Sequence, residues 1–182
     1  MIWFTADTHF GHGGALGLFA RPFASVAEMD EGIIARWNER VGAADEVWHL
    51  GDFAVLTKRA REAGRLDELL DRLNGTKRLV AGNNDDDAVR TAHGWREVAD
   101  YAELTVEGTS LVLCHYAFRS WKSQHKGWWN LHGHSHGRLD RMTRQRDVGV
   151  DCHDFAPVTL GMLTEGAHKR KERPARNARA AI

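Results

Sequence analysis

The chain has 182 residues, 42% hydrophobic and 27% charged, which is enough apolar material for the core of one domain of ordinary size. No apolar run approaches the roughly 18–20 residues that cross a bilayer, and the start, MIWFTADTHF, has no basic leader before an apolar stretch, so a cytoplasmic protein without a membrane partner is expected. The 25 Lys/Arg balance 25 Asp/Glu overall, but six bases and one acid crowd into residues 168–182 and leave the preceding chain at −5; Cys114 and Cys152, without Cys-x-x-Cys spacing, suggest neither a disulfide framework nor a thiolate zinc site.

Residues 1–6 (MIWFTA) predict a short buried strand, followed by a polar, glycine-rich loop, DTHFGHGG. Ser25 with Glu28 predicts a capping box, and Ile33, Ile34 and Trp37 continue at helical spacing up to Gly42. EVWHLGDF reads as a second strand and loop. Leu66, Leu69, Leu70 and Leu73 share one helical face that closes at Asn74-Gly75, and KRLVAGNND supplies a third strand and loop. A helix is expected over DDAVRTAHGW. Beyond it, AELTVEGTSLVLCHYAF predicts two strands around a Glu-Gly-Thr turn, while GWWNLHGHSH and DVGVDCHDFAPV supply further strand-like runs. The first half is thus β-α-β-α-β and the second leans towards sheet. A single domain over 1–167 is expected, with residues 168–182 as a basic tail. Its low hydrophobicity favours a flexible end over a phosphate-binding arm for nucleic acid.

Chemistry-bearing residues punctuate the strand ends: Asp7 and His9, Asp52, Asn83, His115, and then His132, His134 and His136 in LHGHSHG. Loops at the carboxyl ends of strands present side chains without disturbing the core. Carboxylate, imidazole and amide oxygen together suit a divalent metal with mixed N/O donors: Mn, Fe, Zn, Co or Ni. Taken alone, His115 reads as a hydrogen-bonded core histidine and Asp52 as a loop cap; as a set, strand-end polar groups need partners. His49 reads as structural, His93, His125 and His168 as surface residues, and His153 is left open.

The motifs DTH (7–9), GDF (51–53), GNND (82–85), His115 and GHSH (133–136) occur in the order of the calcineurin-like metallophosphoesterase superfamily, which the chain resembles over residues 1–136. The run MIWFTADTHFGH and VGVD at 148–151 are similar to a small bacterial and phage branch of predicted phosphoesterases. The resemblance implies an α/β fold of two packed β-sheets flanked by helices. It also implies two divalent cations, manganese favoured, with Asp7, His9 and His136 holding the first, Asn83, His115 and His134 the second, and Asp52 bridging them. Alternation in an extended segment is expected to let His134 and His136 reach adjacent metals, with Gly133 allowing close backbone approach. His132 is an extra ligand or, preferred, a residue that orients one.

That family hydrolyses phosphoesters by in-line attack of a hydroxide held between the metals, so a phosphohydrolase is expected, with phosphodiester or nucleotide-like substrates and nucleic acid as a further partner. No Gly-x-Ser-x-Gly elbow or glycine-rich lysine loop argues for another mechanism. The family's Gly-Asn-His motif departs here to Gly82-Asn83-Asn84, which places an amide where a histidine would contact phosphate or donate a proton. Losing that acid is expected to slow reactions with poor leaving groups by about 10²–10⁴-fold. Asp85 is expected to cap the next helix, a hydrogen bond within the site being the alternative. His12 is either a substrate contact or a loop-surface residue. Arg119 and Lys122 are candidate phosphate contacts, and Trp121 is a candidate base-stacking platform, although tryptophans beside a strand favour the core. The rival class is an interaction scaffold on the same fold with a weakened site.

Overall fold

The computed structural model describes residues 1–165; the basic tail and His168 lie outside the described residues. Four parallel strands, β1 (Ile2–Thr5), β2 (Glu46–His49), β3 (Thr76–Val80) and β4 (Trp95–Ala99), with the antiparallel β9 (Val158–Thr159), form one sheet in the order β4-β3-β2-β1-β9. The second sheet runs β5-β6-β7-β8 and comprises β5 (Ala102–Val106), β6 (Thr109–Leu113), β7 (Trp129–His132) and β8 (Gln145–Asp147). Its first pair is antiparallel and the rest parallel.

Strand alternation explains the unbroken apolar runs. Trp3, Val47 and Leu79 face a core shared with the helices, whereas their neighbours Phe4, Trp48 and Val80 face a second core against the other sheet. Leu111, Leu113, Trp129 and Leu131 supply that second core from the opposite side. Helices α2 (Val26–Arg40) and α4 (Arg65–Arg72) cover the first sheet through Ile33, Trp37, Leu66, Leu69 and Leu70. Ser25 caps α2 by accepting the Glu28 N–H, but Glu28 reaches back to the N–H of Ala24 rather than of the cap itself. On the outer face of the second sheet, Asn130 and Gln145 tie the strands to Phe118, and Trp121 is buried outside both cores.

Several expectations are corrected. The glycine-rich loop contains a short helix, α1 (Gly13–Leu18), and another, α3 (Lys58–Glu62), precedes α4. The helix expected over 86–95 shrinks to α5 (Asp87–Arg90) and is capped by Asp86, whose side chain accepts the Val89 N–H. WREVA then pairs as β4, because its alternation needs a neighbouring sheet to become visible. The strand-like run at 147–158 is mostly a loop with a 3-10 turn at Val150–Cys152. The last element among the described residues is α6 (Leu160–Thr164).

Candidate metal centre

The carboxyl ends of β1, β2, β3, β6 and β7 converge on one edge, where the loops bond to one another. The N–H of Asp7 donates to Gly51 O at 2.9 Å, that of His9 to Asp52 O at 3.0 Å, and that of Gly133 to His115 O at 3.0 Å. At this edge the backbone turns left-handed at non-glycine residues: φ is 57° at Asp7, 51° at His9, 57° at Asp52, 64° at His134 and 47° at His136. Each such residue costs about 1–3 kcal/mol and persists only where surrounding contacts impose it. Five of the seven expected ligands carry that cost, as expected of side chains aimed by tertiary structure at a shared point.

Two groups result. Ligand atoms of Asp7, His9 and His136 lie within 4.8 Å of one another, and so do those of Asp52, His115 and His134. Asp52 stands between them: its Oδ2 is 3.5 Å from His9 Nε2 and its Oδ1 is 3.5 Å from His115 Nε2. Asn83 joins the second group, with its Oδ1 3.2 Å from His115 Nε2. The split of His134 and His136 between the groups does not come from strand alternation, however. β7 ends at His132, and the two later histidines are aimed by separate left-handed turns. His132 belongs to neither group. Its Nδ1–H donates to Gly133 O at 2.8 Å, and alternation puts it beside Asn130 on the outer face, next to Asp147.

The residues fit divalent cations on two counts. His9 Nε2 is buried without a hydrogen-bond partner, although it points at Asp52. Asp7 is wholly buried, and burial, followed by the charges of Asp147 and Asp52, holds its carboxyl well above the usual range. A cation would offset both defects. The imidazoles are in the state that ligation requires: burial pushes His9 down to about 3 and lowers His115, leaving both neutral. The His115 Nδ1–H donates to Leu50 O at 2.7 Å, which frees Nε2 to face Asp52.

The surrounding residues hold these ligands in place. Asp85 accepts the N–H groups of Asp52, Phe53 and Gly82 at 2.8, 2.8 and 2.7 Å, so it braces the Asp52 turn and caps no helix. Asn84 donates from its backbone to Asp52 Oδ1 at 2.9 Å and from its amide to Oδ2 at 2.6 Å. Burial would raise Asp147, but hydrogen bonds from Ser135, Gly137 and Gly149 outweigh it, hold the carboxyl below its usual value and shape the 133–137 loop. A Cβ on Gly133 would stand 2.6 Å from Ala6 Cβ and 2.7 Å from Asp7 Oδ2, so the close approach expected there is real.

The other candidates divide. His12 is beside the first group, its Nδ1 3.3 Å from His9 Nδ1. Arg119 is exposed. Trp121 is buried and donates to Trp128 O, which removes it as a stacking platform, and Lys122 pairs with Glu103 over the Trp128 ring. His49 is structural: the Thr8 hydroxyl donates to Phe53 O, so His49 Nε2–H donates to Thr8. His153 Nε2–H donates to Asp147 O. Sequence reasoning missed Tyr116, exposed with its ring 4.8 Å from that of His134 and its hydroxyl 3.5 Å from Asn83 Oδ1. It also missed Arg21 and gave no role to Asp151, whose Oδ2 accepts His136 Nδ1–H at 2.7 Å. The one available signal was VGVD, which contains Asp151.

Comparison with known proteins agrees with this architecture. A family model described as a calcineurin-like phosphoesterase superfamily domain matches residues 1–152. The gene 66 protein of Mycobacterium phage D29 is 35% identical over 187 residues, covering 86% of this chain and 92% of its own. An uncharacterised protein of Methanocaldococcus jannaschii is 28% identical over 177 residues, covering 93% of each chain. A solved protein of unknown function from Aquifex aeolicus shares the fold with a TM-score of 0.70 at 23% identity, covering 91% of this chain and 98% of that one. No helix among the described residues is long and apolar enough to cross a membrane.

Proposed function

The chain belongs to the calcineurin-like phosphoesterase superfamily, and from that membership and the geometry of its strand-end edge we propose a phosphohydrolase that works with two divalent cations, manganese favoured. The observation that carries this reading is Asp52, whose two oxygens each face one ligand group. When bound, a pair of such cations supplies an activated water as nucleophile and offsets the charge that develops on phosphoryl oxygens. Asp7, His9 and His136 are the residues to hold one ion, and Asn83, His115 and His134 the other. Asp85 and Asn84 keep the shared carboxylate in register, so substrate meets a preset site.

Substrate preference follows from what Asn84 lacks. Its amide is engaged with Asp52 and has no transferable proton at neutral pH, so esters whose leaving group is stable as an anion suit the site best. Aryl and other activated phosphoesters are therefore favoured over alkyl ones; the preference for phosphodiesters and nucleotide-like esters over simple monoesters rests on the family resemblance and not on position 84. Tyr116, exposed beside Asn83 and His134, offers a ring for a base or aryl group, and His12 and Arg119 are candidate contacts for phosphate oxygens. An interaction scaffold would have no use for an orphaned His9 nitrogen or for burial of Asp7 beside further carboxylates.

The test compares the Mn-loaded protein with Asp52→Ala and Asn84→His on an aryl phosphodiester, an aryl phosphomonoester and a cyclic nucleotide. Loss of diester hydrolysis in Asp52→Ala is expected. Equal rates in the parent and that variant would end the enzyme reading for those substrates.

A further inference from the structure

Arg21 lies outside both ligand groups, yet its guanidinium reaches the carbonyls of Asp7 and of Thr8, the residue between Asp7 and His9, and the carboxylate that holds His136. We propose that Arg21, acting through Asp151, is the positioning residue that assembles the Asp7, His9 and His136 group, and that its planar fork sets the cation affinity of that group alone.

The side chain has no solvent exposure, and its five N–H donors have five acceptors. Nε donates to Asp151 Oδ1 and Nη2 to Asp151 Oδ2, both at 2.8 Å, a bidentate pair between residues 130 apart in sequence. The second Nη2 proton goes to Asp7 O at 2.6 Å, and Nη1 donates to Thr8 O at 2.8 Å and Met29 Sδ at 3.5 Å. The two carbonyls belong to the segment where Asp7 and His9 are left-handed, so Arg21 restrains the backbone from relaxing to an extended form.

Its other partner controls the third ligand. Asp151 Oδ2 accepts His136 Nδ1–H at 2.7 Å, which places the proton on Nδ1 and leaves the Nε2 lone pair for a cation. Phe19, two residues before Arg21, stacks on the same imidazole with centroids 3.5 Å apart and planes 13° apart. One short segment therefore holds His136 by its face and, through Asp151, by its edge. The second group has different supports: Leu50 O for His115, and Asn84 for Asp52. Stability is a weak reason for such a residue, because a buried ion pair gains little over apolar packing of the same volume. Geometric specificity remains as its role.

The inference rests on the two-cation reading, and the experiment separates the two. Parent, Arg21→Lys, Arg21→Met and Asp151→Asn proteins are titrated with Mn(II) by calorimetry and counted for bound ions after dialysis, with folding checked by urea transitions. The parent is expected to bind two ions; Arg21→Lys and Asp151→Asn should keep one at parental affinity and weaken the other by about 10–100-fold. Arg21→Met and Asp151→Asn each leave a buried charge without its counter-ion, so the affinities of every variant are compared at temperatures where its urea transition shows it folded, and Arg21→Lys, which keeps the charge pair, decides where either fails to fold. Parental affinity at both sites in the two conservative variants overturns the proposal, as does equal weakening of both sites, which marks a merely structural role. A parent that binds fewer than two ions refutes the two-cation reading instead. The ring nitrogens of His136 in the metal-free protein then decide the matter by NMR: the Nδ1–H tautomer should dominate in the parent and become mixed in Arg21→Lys and Asp151→Asn, and an unchanged tautomer refutes the role of Arg21.

Discussion

Replacing Asp85 tests whether the site is held by carboxylate-to-backbone bonds. The carboxylate accepts three N–H groups, from Asp52 and Phe53 at 2.8 Å and Gly82 at 2.7 Å, and is 6% exposed. Asp85→Ala orphans all three, at about 1–3 kcal/mol for each unsatisfied buried donor. Water entering the vacated space recovers part of that sum, so a loss of about 3–5 kcal/mol is expected, a large share of the roughly 5–15 kcal/mol typical of a domain. With about 2–4 °C per kcal/mol at this chain length, Tm should fall by about 6–20 °C. Asp85→Asn should be milder but not silent, because its NH₂ meets one of the N–H groups donor to donor. The strained Asp52 turn, φ 57°, is braced by these bonds, so Mn(II) affinity should fall in both variants. Thermal melts and Mn(II) titration provide the readouts. A Tm within 2 °C of the parent in Asp85→Ala, with unchanged Mn(II) affinity, would refute the reasoning.

Other consequences are equally open to measurement. Gly133→Ala drives a methyl within 2.7 Å of Asp7 Oδ2 and 2.6 Å of Ala6 Cβ; a loss of about 1–3 kcal/mol in urea unfolding and weaker Mn(II) binding are expected, and a neutral result would mean that the loop yields freely. His49 is pushed down to about 3 by burial and then by the nearby His115 and His9, against about 6.5 in the unfolded chain. The unfolded state therefore binds the extra proton between those values, and the associated stability is present above pH 6.5 and lost as pH falls towards 3. His49→Gln should flatten the slope of unfolding free energy in that window by up to about 1.4 kcal/mol per pH unit, and an unchanged slope measured from pH 6.5 to 4.5 would contradict it. Asn84→His restores a transferable proton, so hydrolysis of alkyl esters should rise by up to about 10²–10⁴-fold while nitrophenyl esters change little. A uniform change across leaving groups would show that position 84 acts only through Asp52.

Periodicity, capping residues and motif order were enough to foresee the local features of the fold. The buried strands at MIWFTA and EVWHL, the Ser25 cap and the leucine face of α4 follow from period and capping chemistry, which depend on neighbours within a turn or two. Asp7, His9, Asp52, Asn83 and His115 were readable as polar residues where strand patterns stop, whereas the full set of seven with His134 and His136 came from the ordered motifs of the family resemblance; the structure brings them to one edge. Tertiary structure alone decided how they are aimed. The left-handed turns at Asp7, His9, Asp52, His134 and His136 are locally unfavourable and are held by distant loops, which bond to the backbone N–H groups of the first four and to the ring of His136, so strand alternation could not account for the split of the last two histidines. The same holds for Asp85, which braces a turn 33 residues away instead of a helix, for Trp121, buried with its indole N–H on Trp128 O, and for Arg21, whose partner Asp151 is 130 positions along the chain. A periodic pattern records which face of an element is buried, but not which side chain of another element it meets there.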